Sequence, residues 1–177
     1  MFAGLGDELL VTGLGSRAWD LTARGDRGTT FPLWGVMGLA VSIGLGLALA
    51  QPERRVIVPT GDGELMMGLG SLATVAAAAP ENLAILVLDN EQFGETGGQP
   101  GLSAQGVDIA AVARGAGIAE TLVMTEAGQL EELRELLFER PGPALAVAKI
   151  APGEDPRALS PHDGVELADR FRRALGV

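Results

Sequence analysis

Residues Leu83–Leu88 read Leu-Ala-Ile-Leu-Val-Leu, with no polar residue at alternate places. A strand of that kind is apolar on both faces, so it needs a layer of helices above it and another below. This is the geometry of an α/β protein with a parallel sheet, and the flanking segments fit it. Val56–Thr60 is a short, β-branched run of strand length. Between the two strands, Glu64–Ala79 is long enough for a helix, rich in Leu, Met and Ala, and stops before Pro80, whose ring disfavours helical geometry in the residue before it. Glu8–Thr12, Thr121–Met124 and Ala144–Ile150 are further strand candidates, and Ser16–Arg24, Gly35–Ala50, Val107–Arg114 and Glu126–Glu139 further helices. The expected fold is one α/β domain over residues 1–177, a three-layer parallel sheet with helices on both faces. Residues 151–177 form a Pro- and charge-rich tail that ends in a helix over Val165–Leu175.

The 177 residues are 47% hydrophobic, ample for a sizeable core, and carry a formal charge of −10. That sign argues against nucleic acid and against an anionic membrane surface as partners. Without cysteine the chain has no disulfide, thiolate zinc site or iron–sulfur cluster of its own. Leu33–Ala50 is uncharged over 18 residues, just the length of a membrane span. It contains Gly35, Gly38, Gly44 and Gly46, however, and is better read as a buried helix lying close against the sheet. The first residues lack the basic run and apolar core of a secretory signal, so the cytoplasm is the expected compartment.

Gly61-Asp62-Gly63 follows one strand directly, and Asp89-Asn90 follows the next. The carboxyl ends of parallel strands share one edge, where open α/β sheets bind ligands, so both pairs face one crevice. Asp62 offers a carboxylate and Asn90 an amide oxygen, the hard ligands that Mg²⁺ or Ca²⁺ prefers. Gly63 opens a helix, whose first amides are free to meet an anion. Together they offer a metal-bridged diphosphate site built from two βα turns, although each pair taken singly is an ordinary turn; they lie 28 residues apart and enclose one helix and one buried strand, the arrangement that carries the resemblance given next. Asp89–Gly106 is a long loop rich in glycine and glutamine, and long loops inside compact domains tend to be functional.

With these motifs in order over Thr30–Gly106, the chain resembles the diphosphate-side domain of the thiamine-diphosphate enzymes, and within them the sulfopyruvate and phosphonopyruvate decarboxylase subgroup, whose first type has a separate small subunit. The resemblance implies thiamine diphosphate and Mg²⁺ as cofactors. It implies Asp62, Asn90 and the backbone carbonyl of Gln92 as metal ligands, and the amides of Gly63 and Glu64 as donors to the diphosphate. Gly35, Val36 and Met37 would meet the aminopyrimidine, the Gly35 carbonyl accepting from its amino group and Met37 wedging the cofactor into its bent shape. Gly61, Phe93 and Gly94 complete the implied cofactor-binding set. Glu95-Thr96-Gly97-Gly98-Gln99 resembles the subgroup's Ser-Thr-Gly-Gly-Gln stretch, which implies Thr96, Gly97 and Gln99 as the catalytic residues near thiazolium and substrate. Two positions depart from the pattern: Glu64 stands where the family often has a small residue, and Glu95 where the subgroup has serine.

In the family a glutamate from another domain activates the cofactor, and no segment here resembles that domain. The implied partner is therefore a second subunit carrying the pyrimidine-binding domain and that glutamate, in a hetero-oligomer that acts on a small 2-oxoacid; the chain alone is expected to be silent and prone to self-association. The function expected is that of a 2-oxoacid decarboxylase subunit. The alternatives are a subunit of another thiamine-diphosphate enzyme, a carboligase or C–C lyase, and a binding or regulatory module without catalysis. Asp89–Gly106 contains no Arg or Lys, so a substrate with a second anionic group would need a cation from elsewhere. Other motifs carry less. Gly13-Leu14-Gly15-Ser16-Arg17-Ala18 fits the loose dinucleotide fingerprint, but no acidic residue ends a second strand about 20 residues later. His162 reads as a surface residue, and Trp19 and Trp34 as core or interface residues.

Overall fold

The computed structural model describes residues 5–25, 27–153 and 158–177. The first half of the chain runs β1 (Leu9–Thr12), α1 (Ser16–Ala23), β2 (Thr30–Pro32), α2 (Ala40–Ala50), β3 (Val56–Gly61), α3 (Asp62–Met67), α4 (Ser71–Ala78) and β4 (Leu83–Asp89). After it come a two-stranded hairpin of β5 (Gln92–Phe93) and β6 (Gln99–Pro100), then α5 (Ile109–Ala116), β7 (Glu120–Met124), α6 (Leu130–Phe138), β8 (Ala144–Lys149) and α7 (Gly164–Leu175). Six strands form one sheet in the order β2-β1-β3-β4-β8-β7, every neighbouring pair parallel.

Side chains alternate across a strand, and the core divides accordingly. Leu83, Ile85 and Val87 of β4 face one way, with Val56 and Val58 of β3, against α2, α4 and α5. Ala84 and Leu86 face the other way, with Ile57, against Leu133, Leu136 and Leu137 of α6. The two-sided burial expected of Leu83–Leu88 is therefore what the fold gives it, and Leu83 through Val87 are fully buried. In α2 one glycine serves as expected, since a Cβ added to Gly44 would collide with a Val58 methyl, whereas Gly46 faces open space. Among the described residues no helix is long and apolar enough to cross a membrane.

Two expected helices are shorter than their sequence suggests, for one shared reason. The helix anticipated over Gly35–Ala50 begins only at Ala40, and that over Glu64–Ala79 breaks between α3 and α4. Gly38 has a left-handed backbone (φ 91°) and Val36 another (φ 53°), so the chain is turning there. A Cβ on Gly38 would lie 2.9 Å from the Gly68 amide nitrogen, and one on Gly68 would collide with the Gly38 carbonyl. Backbone meets backbone at this point, which glycine alone permits. The helix over Glu126–Glu139 likewise starts as a single 3-10 turn, Ala127–Gln129, before α6. Strand β2, absent from the sequence reading, is a three-residue edge strand ending in Pro32, the position where a missing amide is tolerated.

The order of strands fixes where a ligand fits. From β1 the chain goes to β2 on one side and then crosses to β3 on the other, so the topology switches between β1 and β3. Beyond the carboxyl ends of these strands a crevice opens, as in other doubly wound sheets. Of the tail, residues 154–157 lie outside the described residues. The part that follows returns to the body: Trp34 Nε1 donates to the Pro161 carbonyl at 2.8 Å, and its ring stacks on that of the exposed His162, centroids 3.8 Å apart.

Candidate functional site

The ends of β3, β4 and β8 lie side by side at this edge of the sheet. β3 is paired with β4 so that Gly61 stands opposite Leu88, and β4 with β8 so that Asp89 stands opposite Lys149. Asp62 and Asp89 thus emerge side by side, each 2% exposed. Ser103, on a 3-10 turn after the hairpin, places its Oγ 2.9 Å from Asp62 Oδ2 and 2.8 Å from Asp89 Oδ1. Lys149 Nζ pairs with Asp89 Oδ2 and with Glu91 Oε1, each at 2.8 Å. Burial pushes the Asp62 carboxyl above the ordinary carboxylate range, opposed by the Ser103 hydrogen bond and reinforced by the Asp89 charge. Burial works against the Lys149 charge, but hydrogen bonds to Asp89 and Glu91 prevail and raise it.

Next to Asp89, Asn90 folds its side chain back so that Oδ1 accepts from the Gln92 amide at 3.1 Å. This turn, with Glu91 left-handed at φ 62°, starts the hairpin. Phe93 then packs so closely on Gly63 that a Cβ there would collide with its ring. The loop closes where the Gly98 amide donates to the Phe93 carbonyl at 3.0 Å and the Gly101 amide to the Glu91 carbonyl at 2.7 Å. Thr96 Oγ1 donates to Gln99 Oε1 at 2.8 Å, and Gln99 Nε2 to the Thr96 carbonyl at 2.7 Å.

Glu64 is buried at 2% exposure, and neither carboxylate oxygen has a hydrogen bond of good geometry among the described residues. The Thr60 hydroxyl is equally unsatisfied. It lies close enough to favour the ionised acid without making a formed hydrogen bond, as does the Arg17 charge, but burial outweighs both and raises the Glu64 carboxyl. Arg17 donates from Nε and NH2 to the Leu14 carbonyl at 3.2 and 2.9 Å. Its NH1 hangs over Gly61, 2.8 Å from where a Cβ would stand. Burial lowers the Arg17 pKa, while Glu64, Asp62 and Glu95 around it act to hold its charge.

The implied residues divide between crevice and surroundings. Gly61, Asp62, Gly63 and Glu64 line the crevice together with Asn90, Gln92, Phe93, Gly94 and Thr96, and so does Met37. Gly35 and Val36 precede α2 outside this lining, Val36 more than half exposed, and Gly97 and Gln99 lie on the exposed loop. The lining also contains residues that the sequence does not assign to this site: Leu14, Ser16 and Arg17 of the fingerprint-like motif, Trp19, which reads as core or interface, Glu95 and Gly153. For the first four the signal was there: their segment follows β1, whose end shares the edge with Gly61 and Asp89, the same reasoning that joined Asp62 to Asn90. The fold thereby brings a cation, Arg17, to a site whose loop supplies none. Ser103 has no comparable signal.

The donor set fits a hard cation held jointly with a phosphorylated ligand. Among the described residues no three His, Cys, Asp or Glu side chains gather into a metal cage, so an ion here would take Asp62, neutral oxygens of Asn90 and Gln92, and oxygens from the ligand. Gly61 and Gly63 line the same crevice, and the space that a side chain would take at each is held instead by Arg17 and by the Phe93 ring.

A doubly wound parallel sheet with an acidic, glycine-walled crevice at its switch point defines a cofactor-binding α/β domain. The family described as "Thiamine pyrophosphate enzyme, C-terminal TPP binding domain" matches residues 15–148, and the chain belongs to it. The chain is 40% identical to sulfopyruvate decarboxylase subunit beta of Methanothermobacter thermautotrophicus, over 94% of this chain and 86% of that subunit. It is also 40% identical to phosphonopyruvate decarboxylase of Streptomyces viridochromogenes, over 94% of this chain but only 42% of that protein. Among solved structures, a thiamine-diphosphate-dependent 4-hydroxybenzoylformate decarboxylase of Rhodococcus jostii RHA1 shares the fold, with a TM-score of 0.65 at 22% identity, covering 85% of this chain and 30% of that one.

Proposed function

We propose that the chain, as a single domain, is the cofactor-binding subunit of a cytoplasmic, two-subunit 2-oxoacid decarboxylase that uses thiamine diphosphate and Mg²⁺. The observation that carries this reading is the convergence of Asp62, Asn90 and Gln92 on one glycine-walled crevice. The subunit form is supported by relatives that are named beta subunits and are close to this chain in length.

Thiamine diphosphate, when bound, supplies an electron sink for the carbon that loses CO₂. This chain's residues bind and orient. Asp62, Asn90 Oδ1 and the Gln92 carbonyl would hold Mg²⁺, and the Gly63 and Glu64 amides would meet the diphosphate. Arg17, over Gly61, adds a positive charge on that side. The Gly35 carbonyl, just outside the crevice lining, would accept from the aminopyrimidine, and Met37, half-buried and lining the crevice, would set the cofactor's shape. Thr96, Gly97 and Gln99 hold the loop on the substrate side, their exposure leaving a face for the second subunit, which brings the activating glutamate.

The test is calorimetric titration of thiamine diphosphate, with Mg²⁺, into the assembled complex carrying Asp62→Ala. Loss of binding with an intact fold is expected; unchanged affinity would remove Asp62 from the site.

A further inference from the structure

Ser103 lies 41 residues from Asp62 in the chain and is 8% exposed, yet its hydroxyl touches two buried carboxylates. A hydroxyl has one proton and serves one acceptor at a time. Asp89 does not depend on it: Lys149 occupies Oδ2 at 2.8 Å, and the Glu91 amide donates to Oδ1 at 3.1 Å. Asp62 has no other side-chain donor among the described residues. Its Oδ2 is also confined by backbone, since a Cβ on Gly101 would lie 2.8 Å from that oxygen. Gly101 and Ser103 therefore form a wall that receives one carboxylate oxygen and leaves Oδ1 without a side-chain partner. The wall is held in place by the Gly101 amide on the Glu91 carbonyl, across the base of the β5–β6 loop.

We propose that Ser103 is the positioning residue for Asp62: its hydroxyl fixes Oδ2 so that Oδ1 is presented to the metal that bridges the diphosphate. This rests on the reading of Asp62 as a Mg²⁺ ligand. It also ties the loop that carries Thr96 and Gln99 to the metal site, because the return of that loop delivers Ser103. Partners that orient a metal ligand matter nearly as much as the ligand, and their loss usually weakens metal binding by about 10–100-fold.

The experiment is a Mg²⁺ titration of thiamine diphosphate binding to the assembled complex, read by calorimetry, with thermal melting of the metal-free complex alongside. In Ser103→Ala the Mg²⁺ concentration for half-saturation should rise by about 10–100-fold, while the metal-free melting temperature stays near that of the parent. Ser103→Thr, which keeps the hydroxyl, should recover most of the affinity. If Ser103→Ala melts below the assay temperature, Ser103→Cys, similar in size and a weak donor, is read the same way. Unchanged Mg²⁺ dependence in the Ala or Cys variant, with binding abolished in Asp62→Ala, would overturn this role for Ser103 and leave the metal site standing. Equal losses in the Ala and Thr variants would also overturn it, because the hydroxyl would not be the agent. Retained binding in Asp62→Ala would instead sink the metal-site reading.

Discussion

Gly13 and Glu64 compete for the same space: a Cβ at Gly13 would collide with the Glu64 carboxylate. The glycine that follows β1 is what allows a long acid to be buried two residues beyond Asp62, where the family often has a small side chain. Accommodation is not satisfaction, since both carboxylate oxygens stay without hydrogen bonds among the described residues.

Glu64→Gln should therefore stabilise the cofactor-free protein at neutral pH. Burial raises the folded-state pKa of Glu64 above its unfolded value. The parent thus has its full stability below the unfolded value and loses part of it as pH rises through the folded one. Glutamine does not titrate, so the gain in melting temperature should be smallest near about pH 4 and grow toward about pH 8. Calorimetric melting across that range checks this; a difference independent of pH would mean that Glu64 is not held in a raised state.

Arg17→Ala should weaken binding of thiamine diphosphate and leave that of unphosphorylated thiamine unchanged. A hydrogen bond to a charged group is worth about 1.5–3 kcal/mol, which corresponds to roughly a tenfold to hundredfold loss of affinity. Parallel titrations of the assembled complex with the two ligands separate the cases. Equal losses for both would mean that Arg17 acts by holding the Leu14 turn and not by meeting an anion.

Much of this site was legible because one rule governs it: carboxyl ends of parallel strands share an edge. Leu83–Leu88 declared a two-faced strand, and once β3 and β4 were neighbours, Asp62 and Asn90 had to meet. Arg17 obeys the same rule through β1 and was passed over because its glycines looked like another motif. The early end of α3 and the late start of α2 could not be read, because the contact between Gly38 and Gly68 joins residues that no local pattern links. Ser103 was hidden for the same reason: a lone serine in a loop says nothing until the loop's path is known.

Met37→Ala should reduce turnover by the assembled enzyme more than it reduces cofactor affinity. The side chain lines the crevice and is only half-buried, so its loss opens space beside the cofactor without emptying the core. A core methionine would instead cost about 2–5 kcal/mol of stability and leave turnover per folded molecule intact. Steady-state kinetics alongside thermal melting distinguishes the two, and lowered stability with full activity would place Met37 in the core.

The central claim is that this chain holds the cofactor's diphosphate and metal while a second subunit supplies the group that activates it. The most direct test is decarboxylation of a panel of 2-oxoacids, with Mg²⁺ and thiamine diphosphate, by the purified chain alone and by the chain with its co-purifying subunit. The account predicts a folded but silent chain alone and release of CO₂ by the pair. Robust turnover by the chain without a second polypeptide, or none by the pair on any 2-oxoacid, would contradict it.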